Sequence, residues 1–176
     1  MTGGPHDGYS AFISYRRALP ASSAVAGNLH EELERRGVRT YLDVSSNQTG
    51  ALWRRDVESA TDDRSLRVGV VIIEQEWVEM LGHPAPNDDM VLHEVERFLQ
   101  RLDESDATTG NGPQPPFVVY PIYIIELNDP TGFPNPPTAA SSRAQQAYDR
   151  LYEIQTLQAS AYDHSHDCRG RRRAHP

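Results

Sequence analysis

The sequence predicts an α/β fold in which helices cover both faces of a doubly wound parallel sheet. Strand-like and helix-like segments alternate along the chain, which is the pattern of repeated β–α–β units. One strand, Leu66–Ile73, is an almost unbroken run of β-branched residues. Such a strand is typical of a parallel sheet that lies between two helical layers. Right-handed crossovers then bring the loops that follow the strands to one edge of the sheet.

The first strand and the first helix lie in the amino-terminal part of the chain. An apolar strand, Ala11–Ile13, runs into a polar turn with two arginines. A helix is predicted over Ser22–Arg36, because apolar residues repeat every four positions at Val25, Leu29 and Leu33. Ser22 or Ser23 is expected to cap its start, and Gly37 to close its end in a left-handed conformation.

The middle of the chain continues the alternation. Apolar and polar residues alternate over Val38–Val44, which predicts a second strand. Ser45–Leu52 is expected to be a loop, and Trp53–Ala60 a short helix. A polar loop over Gly82–Asp89 then leads into a helix over Met90–Leu102. The apolar residues expected on the buried face of that helix are Val91, Val95, Phe98, Leu99 and Leu102.

The last third of the sequence is expected to have less regular structure. Asp103–Pro116 is interpreted as a flexible insertion and Phe117–Ile125 as another strand. Pro121 has no N–H to donate, so this strand is expected to lie at an edge of the sheet or to contain a bulge. The proline-rich segment Glu126–Ser142 is expected to be an irregular loop, followed by a last helix over Arg143–Leu157.

Length and charge predict one acidic domain between two tails. The chain has 176 residues, which suits a single domain over residues 9–160 with tails at 1–8 and 161–176. Four of the 17 arginines lie in the last eight residues, which leaves 13 arginines against 25 acidic residues in the rest. This excess of negative charge outside the tail argues against a nucleic acid as the main ligand. The basic tail is interpreted as a disordered end, with contact to an anion as the alternative.

Composition excludes several other classes of protein. The apolar runs are much shorter than the roughly 20 residues that cross a bilayer, so no membrane partner is expected. Cys168 is the single cysteine, which favours a reducing, cytoplasmic location. No lysine is present, which excludes Schiff-base chemistry and the lysine of a phosphate-binding loop. His164, His166 and Cys168 have metal-ligand side chains, but no second cluster accompanies them, and no metal site is expected.

Four segments in a fixed order resemble those of Toll/interleukin-1 receptor (TIR) domains, particularly the bacterial ones. They are Phe12–Arg17 (Phe-Ile-Ser-Tyr-Arg-Arg), Leu29–Asp43, Val68–Ile73 followed by Trp77, and Asp89–Val95. The resemblance implies a flavodoxin-like fold. It also implies one of two functions. Some members are non-catalytic adaptors that bind other TIR domains through the loop after the second strand, here Ser45–Leu52. Others, including many bacterial members, cleave the nicotinamide–ribose bond of NAD⁺.

The enzymatic hypothesis makes NAD⁺ a consumed substrate, so that no cofactor is needed. It implies activity on homotypic assembly, in bacterial immune defence, with a separate sensor protein as a further partner. The sequence leaves open whether the ADP-ribose product is hydrolysed or cyclised. It also leaves the adaptor as the alternative function.

Glu94 is the candidate catalytic residue, because the resemblance aligns it with the family's catalytic glutamate. On the predicted helix it lies at the flank of the apolar stripe, with Met90 one turn earlier on the same side. A carboxylate there can stabilise the positive charge that develops on a ribose as its base leaves. The alternative is a surface glutamate that pairs with Arg97 or Arg101 on its own helix.

Tyr15, Arg16 and Arg17 are candidate substrate contacts at the end of the first strand. Arginine carries a permanent charge on a planar group that suits a pyrophosphate. The alternative is a pair of surface charges that neutralise acids such as Asp43. Asp43, at the end of the second strand, is expected to orient one of the arginines or to cap the following loop.

The loop after the second strand is expected to close over the site. Gly50 matches a glycine usual in the family loop, and Leu52 stands near the position of a stacking aromatic residue in the enzymes. Trp53 is expected either to stack on the substrate or to pack in the core. Met90, which stands where the family has an aromatic residue, is a further candidate contact, whereas Trp77 is expected to pack.

Overall fold

The computed structural model describes most of the chain. The described residues are 8–42, 51–82, 89–108, 116–124, 134–136 and 141–170. Within them the elements are, in chain order, β1 (Ala11–Ser14), α1 (Pro20–Arg35), β2 (Thr40–Leu42), α2 (Ala51–Thr61), β3 (Val68–Ile73), α3 (Gln75–Gly82), α4 (Met90–Thr108), β4 (Val118–Tyr123) and α5 (Ser142–Gly170).

The four described strands form one sheet in which every neighbouring pair is parallel. Their order is β2-β1-β3-β4, so β1 and β3 are central. Apolar residues on one face of the sheet pack against α1, whereas those on the other face pack against α2, α3, α4 and α5. The result is a flavodoxin-like three-layer α/β/α fold, and the predicted fold class is confirmed.

Alternation along the two central strands decides which side chains meet each helical layer. Ile13, Val70 and Ile72 lie on the α1 face, whereas Phe12 and Val71 lie on the α4 face. All five side chains are buried. The burial of β3 along almost its whole length confirms that helices cover both of its faces.

Helix α4 approaches the sheet closely at Gly69 in β3. A Cβ atom at position 69 would lie 2.7 Å from the ring of Phe98 on α4, well inside the contact distance of about 3.5–4.0 Å between carbon atoms. Phe98 is fully buried and also makes an edge-to-face contact with Phe12, with ring centroids 5.2 Å apart. Glu94 lies one turn before Phe98, so the Gly69 contact also sets how near Glu94 comes to the sheet.

Strand β4 lies at the edge of the described sheet, as Pro121 predicts. Val118 and Ile124 donate their N–H groups to carbonyls of the β3 segment, at 2.9 and 2.8 Å. Donors alternate between the two sides of a parallel strand, so the nitrogen of Pro121 faces away from β3. The proline therefore costs the sheet no hydrogen bond.

The start of α1 differs from the prediction. The helix begins at Pro20 rather than at Ser22, and Leu19 occupies the cap position without a side-chain hydrogen bond. The predicted cap at Ser22 or Ser23 is therefore wrong. Proline suits the first helical position because its fixed φ is helical and it lacks the N–H that would stay unpaired there. Gly37 has a φ of 79°, which confirms the predicted left-handed end.

Three other helices, α2, α4 and α5, are longer than predicted. Helix α2 begins at Ala51, so Leu52 lies in a helix rather than in a loop. Helix α4 continues to Thr108, and the start of the predicted insertion is therefore helical. Helix α5 runs from Ser142 to Gly170, beyond the predicted end and into the segment expected to be disordered. The carboxyl-terminal extensions of α4 and α5 contain no proline, and no glycine before the last residue of α5.

Helix α3 was not predicted, and three strands are shorter than expected. The helix covers the eight residues Gln75–Gly82, and one residue separates it from β3. Strand β2 covers Thr40–Leu42, β3 begins at Val68, and β4 covers Val118–Tyr123. Most of the predicted loops, including 45–50 and 83–88, lie outside the described residues.

Replacement of Gly69 by alanine should destabilise the protein by about 1–3 kcal/mol, because the new methyl group overpacks the Phe98 contact. The free energy of unfolding from urea denaturation measures the effect. Gly27→Ala is the matched control. That position in α1 has open space around it, so alanine should stabilise the helix by about 0.5–1 kcal/mol. Equal effects at the two positions would contradict the packing argument.

Candidate active site

A pocket of about 230 Å³ opens at the carboxyl edge of the sheet. Tyr15, Arg16 and Arg17, in the loop that follows β1, form one wall of it. Val91 and Glu94 of α4 form part of the opposite wall. Open α/β folds bind ligands at this edge, and the structure therefore brings Glu94 and both predicted arginines to one cleft.

Glu94 is a buried carboxylate at the base of this cleft. Only 5% of its surface is exposed, and Ser14 Oγ donates a hydrogen bond to its Oε2 at 2.6 Å. Ser14 is itself 1% exposed. Ser14 follows Phe12 by two positions on β1, so both side chains point to the α4 face. The end of β1 therefore fixes the orientation of the Glu94 carboxylate.

The alternative of a surface Glu94 is wrong. Arg97 Nε donates to Asp62 at 2.7 Å, on the outer side of α4. Arg101 donates to the backbone carbonyls of Asp63 and Leu66 at 3.0 and 3.1 Å. Both arginines predicted as partners of Glu94 thus bind the segment after α2.

Arg16 connects the loop after β1 to the start of α4. Its guanidinium forms a hydrogen-bonded ion pair with Asp89, and their side chains are 10% and 12% exposed. Asp89 also accepts a hydrogen bond from the N–H of Leu92 at 3.4 Å, which places it at the amino-terminal end of the helix. The Arg16 guanidinium lies 6.0 Å from the ring centroid of Trp77. Arg16 is therefore a largely buried cation that joins two elements and also borders the pocket.

Arg17 is the exposed cation of the pocket. Its backbone carbonyl accepts a hydrogen bond from Ser23 Oγ in the first turn of α1, at 3.0 Å. The main chain at Arg17 is thus held while its side chain reaches the solvent. Of the two predicted arginines, Arg17 is the more exposed.

The other predicted contacts have different placements. Met90 is 8% exposed and packs in the main core, and its neighbour Val91 lines the pocket instead. The expected contact of Met90 with a ligand is therefore not supported. Trp77 is fully buried, which confirms the packing prediction.

The segment expected to close over the pocket is only partly described. Asp43 and Gly50 lie outside the described residues. Leu52 and Trp53 lie in the first turn of α2, but their side chains are outside the described part of the structure. Their predicted roles stay predictions.

Sequence reasoning missed two residues of the site. Ser14 was part of a recognised motif, and its spacing from Phe12 was the signal that it faces α4. Met80 also lines the pocket, but it lies on α3, which was not predicted. Trp77 and Leu81, both buried, are four residues apart, and this spacing was the local signal for that helix.

Comparison with known proteins does not place the chain in a family. No protein-family model matches the chain, and no curated protein matches it either. Among the described residues, no group of three or more His, Cys, Asp or Glu is placed to hold a metal ion. No helix of that part combines the length and the apolar character needed to cross a bilayer.

Replacement of Arg16 by methionine should lower the free energy of unfolding by about 3 kcal/mol or more, because it leaves Asp89 buried without its cation. Urea denaturation at neutral pH measures the loss. Arg143→Met is the control. Arg143 pairs with Glu96 at the surface with 65% of its side chain exposed, and an exposed pair contributes below about 1 kcal/mol. A loss at Arg16 as small as that at Arg143 would contradict a structural role.

Proposed function

We propose that this chain cleaves the nicotinamide–ribose bond of NAD⁺, with Glu94 as the carboxylate at the ribose. One observation carries the proposal. A carboxylate that is 5% exposed and held by Ser14 lines a pocket at the ligand edge of a parallel sheet, together with an exposed arginine. The resemblance to TIR domains supplies the identity of the substrate.

The chemistry needs negative charge close to the ribose. As the bond between C1′ and the nicotinamide nitrogen breaks, its electron pair leaves with the nicotinamide, which becomes neutral. The ribose then carries the positive charge, and Glu94 stabilises it. Water adds to C1′ and loses a proton to give ADP-ribose, or a nucleophile within ADP-ribose closes a ring. An oriented carboxylate in a water-poor site stabilises such charge far more than one in bulk water.

The size of the pocket supports binding of one end of a dinucleotide. Its volume of about 230 Å³ lies below the roughly 300–1,000 Å³ of pockets that enclose a whole drug-sized ligand. We assign the pocket to the nicotinamide riboside end. The pyrophosphate and adenosine then extend outwards past Arg17, whose planar cation suits phosphate oxygens.

The wider setting rests on the sequence alone. The resemblance implies homotypic assembly through Ser45–Leu52, a sensor partner and a role in bacterial immunity, and the single cysteine favours the cytoplasm. The experiment must therefore include conditions that promote assembly, such as a crowding agent. The non-catalytic adaptor becomes the better hypothesis when the wild-type protein releases no nicotinamide under any of them.

Replacement of Glu94 by glutamine should reduce nicotinamide release from NAD⁺ by about a hundred-fold or more, because it removes the charge that stabilises the ribose cation. Chromatography of the released nicotinamide measures the rate. Glu96→Gln is the control, since Glu96 pairs with Arg143 away from the pocket. Activity that persists in Glu94→Gln would exclude Glu94 as the catalytic residue.

Replacement of Ser14 by alanine should lower kcat about ten-fold with little change in KM. The loss of the 2.6 Å hydrogen bond frees the Glu94 carboxylate to rotate, and hydrogen bonds to charged groups contribute about 1.5–3 kcal/mol. Steady-state kinetics with NAD⁺ measures both constants. Ser10→Ala, before the same strand, is the control and should behave as wild type. An unchanged kcat in Ser14→Ala would show that Ser14 does not orient Glu94.

A further inference from the structure

A second buried carboxylate, Glu74, lies at the same edge of the sheet but outside the lining of the pocket. It follows β3 directly and is 8% exposed. Its backbone carbonyl accepts the N–H of Val78 at 3.2 Å, at the start of α3. Its side chain reaches across to α1, where Oε1 accepts hydrogen bonds from the N–H of Ser22, at 3.2 Å, and from the Ser22 hydroxyl.

These hydrogen bonds replace a cap that α1 does not supply itself. The cap residue of α1 is Leu19, which makes no side-chain hydrogen bond to the helix. Ser22 is the third residue of the helix. A capping side chain usually accepts a hydrogen bond from the N–H of the second or third helical residue. A negative charge at a helix amino terminus is also favourable. Glu74 therefore caps α1 from a distance of 52 residues along the chain.

The capped turn holds the loop that carries Arg17. Ser23 follows Ser22 directly, and its hydroxyl donates to the carbonyl of Arg17 at 3.0 Å. The N–H of Leu19 donates to the carbonyl of Arg16 at 3.0 Å. The loop is therefore connected to the first turn of α1 at two points. The amino-terminal end of the loop follows Ser14, whose hydroxyl donates a hydrogen bond to Glu94.

We propose that Glu74 is a positioning residue for the candidate active site. It fixes the first turn of α1 and, through Ser23, the backbone of Arg17 at the opening of the pocket. Glu74 itself does not touch the substrate. This inference rests on the proposed function, because it assigns Arg17 to the substrate phosphates.

The test compares Glu74→Ala with Glu74→Gln and with Glu76→Ala. Alanine removes the acceptor of both Ser22 hydrogen bonds, whereas the amide oxygen of glutamine can still accept them. Glu76 is exposed in the first turn of α3 and serves as the matched control. Glu74→Ala should raise KM for NAD⁺ about ten-fold with kcat within about two-fold of wild type. Glu74→Gln should recover most of the loss, and Glu76→Ala should behave as wild type.

Two readouts do not depend on turnover. Amide hydrogen exchange at Ser22 and Ser23 should accelerate in Glu74→Ala, while exchange in β1 and β3 stays unchanged. Affinity for inorganic pyrophosphate, measured by titration calorimetry, should fall about ten-fold. These measurements decide the role of Glu74 even when the wild-type protein proves inactive towards NAD⁺, a result that would reject only the proposed reaction.

Three results would overturn the inference. One is a KM and a pyrophosphate affinity in Glu74→Ala that match those of Glu76→Ala. The second is faster exchange throughout β1 and β3, which would make Glu74 a general stabilising residue. The third is a fall in kcat at constant KM, which would place its effect on Glu94 rather than on Arg17.

Discussion

The contact between Phe98 and Gly69 is the constraint on which the site depends. A glycine near the start of the central strand β3 lets an aromatic ring of α4 lie directly on the backbone of the sheet. That depth brings the preceding turn of the helix, with Glu94, to the end of β1. A side chain at position 69 would force Phe98 to shift, because its Cβ atom would lie 2.7 Å from the ring. A packing contact in the core thus determines the geometry of a polar site.

Two serine–glutamate contacts then organise the edge of the sheet. Ser14 and Glu94 join β1 to α4, whereas Ser22 and Glu74 join α1 to the end of β3. All four side chains are buried, where a hydrogen bond to a carboxylate is stronger than in water. The loop between β1 and α1 is therefore fixed at both ends. Within this loop, Arg17 is exposed at the opening of the pocket.

The sequence predicts the parts of this structure that local patterns encode. The alternation of strands and helices and the apolar run of β3 were enough for the fold class, and the helical periodicity of Val91, Val95 and Phe98 was enough for the flank position of Glu94. Helix α3 was missed because two turns with buried Trp77 and Leu81 give too short a pattern to recognise. The partners of Ser14 and Ser22 lie 80 and 52 residues away. Such contacts follow from strand order and helix depth, which local periodicity does not contain.

Pro121 has a consequence for contacts between chains. Its nitrogen faces away from β3, at the edge of the sheet that the described residues form, and carries no hydrogen. A strand from a second molecule, laid along β4, would find one of its carbonyls without a donor at this point. The same deficit would recur in every copy added along this edge. The proline therefore disfavours growth of the sheet from one molecule to the next through β4.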